Sequence, residues 1–133
     1  MTDVLERLVG EWTLEARHPA MPGLVVPGRA TFEWLEGGHF LIQRGLAEHP
    51  DFPDSLWVLG SGKAHYFDSR GVRRVYRLDV STGVWRMWRD VRGFSQRFEG
   101  SFSDDGDTLS GGWDLSTDDE TWKGDLTIVY RRA

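Results

Sequence analysis

From Gly10 to the end of the chain, apolar and polar residues alternate with a period of two, in short runs separated by turn residues. That period places one set of side chains on a buried face and the other in water, and so predicts half-buried β-strands. In the first run Trp12, Leu14 and Ala16 alternate with Glu11, Thr13, Glu15 and Arg17, and His18 shares the apolar parity. Further strands are predicted at Arg29–Leu35, His39–Leu46, Ser55–Leu59, Ala64–Asp68, Val72–Val80, Val84–Asp90, Phe94–Phe102, Thr108–Leu115 and Thr121–Arg131. Ahead of them, Asp3–Val9 carries Val4, Leu5, Leu8 and Val9 on one side, which predicts a short helix of the kind that plugs or caps a barrel.

The breaks between runs are mostly of hairpin length: Gly37-Gly38, Gly60-Ser61-Gly62, Ser69-Arg70-Gly71, Ser81-Thr82-Gly83, Arg92-Gly93 and Asp104-Asp105-Gly106. Two segments differ. Pro19–Pro27 and Ala47–Asp54 hold all the prolines of the chain, which cannot donate to a central ladder, and both are predicted to be loops over a barrel mouth. About ten evenly spaced strands joined by hairpins predict an all-β fold, a single antiparallel up-and-down β-barrel, because closure removes the edge strands that an open sheet would expose. The 133 residues make one domain spanning 1–133 and bury roughly two thirds of the surface of the unfolded chain.

Composition sharpens this. Seven tryptophans and sixteen glycines describe a small barrel with bulky interior residues and tight turns. Cysteine is absent, which excludes disulfides and thiolate metal sites. The formal charge of -5 comes from interspersed residues of both signs and argues against nucleic acid as a partner. No apolar run is long enough to predict a membrane-spanning helix, and Met1–Arg7 lacks the basic-then-apolar form of a secretory signal, so a cytoplasmic location is expected.

Strand parity then nominates interior polar residues, the informative kind because a buried polar group needs a partner, a water or a ligand. Arg44 shares parity with Phe40, Ile42 and Leu46; Arg74 with Val72, Tyr76 and Leu78; Gln96 with Phe94, Phe98 and Phe102; Arg132 with Leu126, Ile128 and Tyr130. Arg44, Arg74 and Arg132, with Tyr76 and Tyr130, form a candidate anion site, since guanidinium forks suit carboxylate or phosphate. The alternative is that these arginines lie near strand ends and reach water or pair with acidic residues. No His-x-His or HExxH spacing points to a metal site, and none is expected. His18 and His65 are the candidates for a single haem ligand. No nucleophile-elbow spacing occurs; Asp90 is a candidate buried acid, or else a turn carboxylate. Trp12, Trp34 and Trp113 read as core. Trp85 and Trp88 lie on opposite faces of their strand, so one of them faces outward and suggests a self-association surface, such as that of a homodimer.

Gly10-Glu11-Trp12 resembles the Gly-x-Trp signature of lipocalins and their calycin relatives. In that family the tryptophan sits at the closed end of the barrel and an arginine near the last strand packs across it, which implies Arg131 or Arg132 here. Phe32–Leu41, Trp85–Asp90 and Gly111-Gly112-Trp113 are similar to bacterial lipocalin-like domains of unknown function, so the resemblance runs over essentially the whole chain. Tyr130-Arg131-Arg132 is similar to the arginine-and-tyrosine arrangement of fatty-acid-binding barrels. The related nitrobindins are ten-stranded haem barrels with a histidine ligand late in the chain; here no histidine follows His65.

The favoured expectation is a lipocalin-like barrel that binds a small apolar or amphipathic ligand, including one bearing a carboxylate, with no cofactor required. The residues nominated to orient it are Arg44, Arg74, Tyr76, Gln96, Tyr130, Arg132 and His18, with Trp12 and Arg131 closing the barrel. Three alternatives stay open: a haem-binding module, an enzyme acting on a small hydrophobic substrate, and a filled barrel that dimerises without a ligand.

Overall fold

The computed structural model describes residues 4–133. A single-turn helix α1 (Val4–Leu8) precedes ten strands: β1 (Gly10–Arg17), β2 (Val26–Trp34), β3 (Leu41–Ala47), β4 (Ser55–Gly60), β5 (Lys63–Asp68), β6 (Arg73–Asp79), β7 (Trp85–Arg89), β8 (Ser95–Phe102), β9 (Thr108–Ser116) and β10 (Lys123–Arg132). Each strand pairs antiparallel with the next, and β1 pairs with β10, so the sheet closes into an up-and-down barrel without an edge. The expected helix is shorter than predicted, and Asp3, its expected start, lies outside the described residues.

The loops after the odd-numbered strands gather at one end and form the mouth. The other end is sealed. There α1 buries Val4, Leu5 and Leu8 against Trp12, whose indole N–H donates to Leu8 O at 2.8 Å. The Arg132 guanidinium lies 4.2 Å from the Trp12 ring and donates to Val9 O at 3.0 Å and Arg7 O at 2.7 Å. Of the two arginines nominated for closure, Arg132 therefore performs it and Arg131 does not: Arg131 sits one residue away on the outer face, paired with Glu15 at 2.6 Å. Gly10 makes the seal close, because its φ of 125° lies where side chains are strained and an added Cβ would sit 3.2 Å from Arg132 Nη1.

Most predicted interior faces are present. Trp12, Tyr76, Leu78, Phe98 and Tyr130 are buried, and Trp85 is buried while Trp88 faces outward. Strand β3 is the exception. Its inward set is Leu41 and Gln43, so Arg44 and Leu46 point to solvent, with Leu46 57 % exposed. Phe40, from which parity was counted, belongs to the turn, where Leu35 N donates to Phe40 O at 2.8 Å. Pro27 corrects a boundary: it lies within β2 opposite Glu15, tolerated because it is near the rim and exposed.

No helix among the described residues is long and apolar enough to cross a membrane.

Candidate functional site

The barrel encloses a cavity of about 450 Å³, open under the loops that follow β1 and β3. That volume lies in the range of small-molecule sites, roughly 300–1,000 Å³. An aromatic wall lines its middle. Trp57 on β4 stacks on Trp113 of β9, with centroids 5.9 Å apart, and touches Tyr66 at 4.7 Å and Tyr76 at 5.2 Å. Phe98 bridges Trp113 to Trp85, at 5.1 and 4.8 Å. Trp57–Tyr66 and Phe98–Trp113 are ladder partners on consecutive strands, whereas Trp57 and Tyr76 meet Trp113 because inward positions at matching height face one another across the closed barrel.

Polar groups sit at three heights. At mid-height the Tyr76 hydroxyl donates to Gln96 Oε1 at 2.7 Å. Burial raises the Tyr76 pKa, with the guanidinium of Arg74 beside it pulling the other way. Deeper, Gln43 Nε2 donates to the Tyr130 hydroxyl at 3.5 Å, and burial pushes the Tyr130 pKa up to about 12. Both phenols are therefore neutral donors at neutral pH. At the rim His18 Nε2 lies 2.8 Å from Asp125 Oδ1, while Nδ1 accepts from Ala20 N at 3.0 Å. The second bond assigns the proton to Nε2, which donates to Asp125.

The rim also carries three cationic side chains of different standing. Arg70 is held by Asp68, with Nη2 2.6 Å from Oδ2. Arg74 projects inward over the Phe94 ring at 5.2 Å and has no carboxylate partner among the described residues. Arg89, on the same face of β7, donates to Phe94 O at 3.5 Å.

Five of the nominated residues, His18, Arg74, Tyr76, Gln96 and Tyr130, thus line the cavity. Arg44 does not: it lies outside, on Glu33 at 2.6 Å, for the β3 reason given above. Arg132 does not either, being spent on the seal at the opposite end. Asp90 is exposed at a turn rather than buried. Sequence parity missed Gln43, although Phe32, its neighbour across the ladder, shares the parity of Trp34, which read as core, and the pairing carries the same face across. Trp57 and the Tyr66–Asp68–Arg70 cluster were missed as well. Tyr66 and Asp68 are two residues apart and so share a face, which was the available signal.

Two histidines were nominated as haem ligands, His18 and His65. His65 lies on the outer face of β5, between Val58 and Val75 on the neighbouring strands, and both ring nitrogens of His18 are engaged. No group of three or more metal-ligating side chains gathers among the described residues.

No protein-family model matches the chain, and no curated protein matches it. Solved structures do. Rv2717c from M. tuberculosis superposes with a TM-score of 0.66 at 15% identity, over 97% of this chain and 94% of that one. Echinococcus granulosus fatty-acid-binding protein 1 gives a TM-score of 0.68 at 14% identity, over 96% and 98%. At such identities the likeness establishes the fold alone, a closed ten-stranded antiparallel up-and-down barrel.

Proposed function

We propose that the barrel binds one small, largely apolar molecule bearing an anionic group, carried with its apolar part inside and its anion at the rim. The observation that carries this is a cavity of about 450 Å³ walled by aromatic rings, with the Arg74 guanidinium at its rim lacking a carboxylate partner among the described residues. Apolar surface withdrawn from water contributes about 25 cal/mol per Å², and a guanidinium adds a charge-assisted, forked contact for a carboxylate. The fatty-acid-binding protein of similar fold is consistent with such cargo. An interior left open by its side chains weighs against a barrel that serves as a purely structural module.

Isothermal titration with decanoate checks the reading directly. Arg74→Met keeps the aliphatic stem and removes the charge; the expected loss is about tenfold in affinity, the lower end for a charged hydrogen bond. Equal binding by wild type and variant, with both folded by circular dichroism, would sink the anion assignment.

A further inference from the structure

The floor of the cavity holds a polar cluster that an apolar cargo does not explain. Gln43 is 4 % exposed and Trp85 is 1 % exposed, and both line the cavity. Gln43 Oε1 and Trp85 Nε1 have no hydrogen-bond partner among the described residues. Turning the amide over does not cure this, since Tyr130 engages only one end of it and the other stays unpaired. Tyr130 joins the group: its hydroxyl meets Gln43 Nε2 at 3.5 Å and its ring lies 6.1 Å from that of Trp85. In accepting from Gln43, the phenol keeps its own hydrogen for donation. Elsewhere the barrel satisfies such groups; the buried indole of Trp12 donates at 2.8 Å, and Tyr76 and Gln96 satisfy each other at 2.7 Å.

Unpaired buried donors and acceptors are rare in folded proteins and point to an occupant. The charge balance says which kind. The cationic groups lining the cavity, Arg70 and Arg74, are at the rim, and neither lies beside Gln43 and Trp85. An anion buried at the floor would have no counter-charge. A neutral group that both donates and accepts fits: its O–H to Gln43 Oε1, its lone pairs to the N–H of Trp85 or the O–H of Tyr130.

We propose that Gln43, Trp85 and Tyr130 form a hydrogen-bonding subsite for a hydroxyl at the inner end of the ligand. The inference rests on the ligand-binding reading above and narrows its cargo to an acid with its carboxylate at one end and a hydroxyl at the other.

The sign of one comparison tests it. In a purely apolar floor a terminal hydroxyl weakens binding, because its hydration is lost without return; in a site built to pair it, the analogue lacking it is the one rejected. Calorimetric titration of the wild-type protein with decanoate and with its terminal-hydroxyl analogue should show the hydroxy acid binding at least about tenfold tighter. Gln43→Leu should erase that preference, read as the ratio of the two affinities. Trp85→Phe, which keeps an aromatic ring and removes the N–H, should reduce the preference as well and serves if Gln43→Leu does not fold. Decanoate binding as tightly as the hydroxy acid, or more tightly, overturns the subsite and leaves the ligand-binding reading standing. Binding of neither acid overturns both.

Discussion

Asp68 shows how much can rest on one carboxylate at a barrel rim. Its side chain is fully covered and accepts from the Tyr66 hydroxyl at 2.7 Å, from Arg70 N at 2.9 Å and from Arg70 Nη2 at 2.6 Å. The Arg70 guanidinium holds the Asp68 carboxyl well below the usual carboxylate range, helped by the Tyr66 hydroxyl, with burial opposing. A carboxylate whose pKa is depressed by folding stabilises the native state at every pH above its ordinary value, near 4. That contribution drains away as pH falls through the depressed native value. Denaturant melts should therefore show wild-type stability falling below about pH 4, and Asp68→Asn should flatten that part of the profile. At neutral pH the same substitution should cost about 1–2 kcal/mol, modest because the partner guanidinium is largely in water. A profile in Asp68→Asn as steep as in the wild type would place the pH sensitivity elsewhere.

At the scale of the strand, parity could be read wherever a polar residue separates the apolar ones. It served for β1, β6, β8 and β10, where Trp12, Tyr76, Phe98 and Tyr130 fix the face. It failed on β3 because Phe40, Leu41 and Ile42 are consecutive and apolar, so the run has no internal phase. A slip of one residue there exchanges every face, which put Arg44 in the candidate site and left Gln43 out. The pairing of β3 with β2 and β4 resolves the phase, and the parity of a single strand does not contain it. The rings of Trp57 and Trp113 were countable in the chain, but their meeting depends on barrel closure. Close packing of strands β8 and β9 gives a matched test. A Cβ on Gly111 would fall 2.6 Å from two atoms of the Phe98 ring, whereas one on Gly112 meets nothing within 4 Å. Gly111→Ala should destabilise the barrel by about 1–3 kcal/mol through overpacking, and Gly112→Ala should be near neutral. Thermal unfolding of the two variants side by side decides whether this contact is as tight as the geometry says.

For the whole molecule, the division of labour between the two ends is the main result. The sealed end spends Trp12, Arg132 and α1 on closure, and the open end exposes Arg74 and His18 to the cavity. Arg132→Met should accordingly lower stability by about 1–3 kcal/mol, through lost hydrogen bonds and the lost ring contact, while decanoate affinity stays as in the wild type. A change in affinity without a change in stability would mean that the ends are not independent.

The Arg132 staple also bears on how the chain is made. Its bonds to Val9 and Arg7 span 123 and 125 residues, and β1 finds its second neighbour only in β10. Until β10 has been made, the growing sheet stays open, with β1 forming one edge and the newest strand the other. Such edges pair with whatever strand arrives, and long-range closure is slow. Polypeptides that stop before β10 therefore cannot conceal Trp12 beneath an arginine, and they carry the fold's aggregation risk. Arg132 marks the point at which the two edges have met.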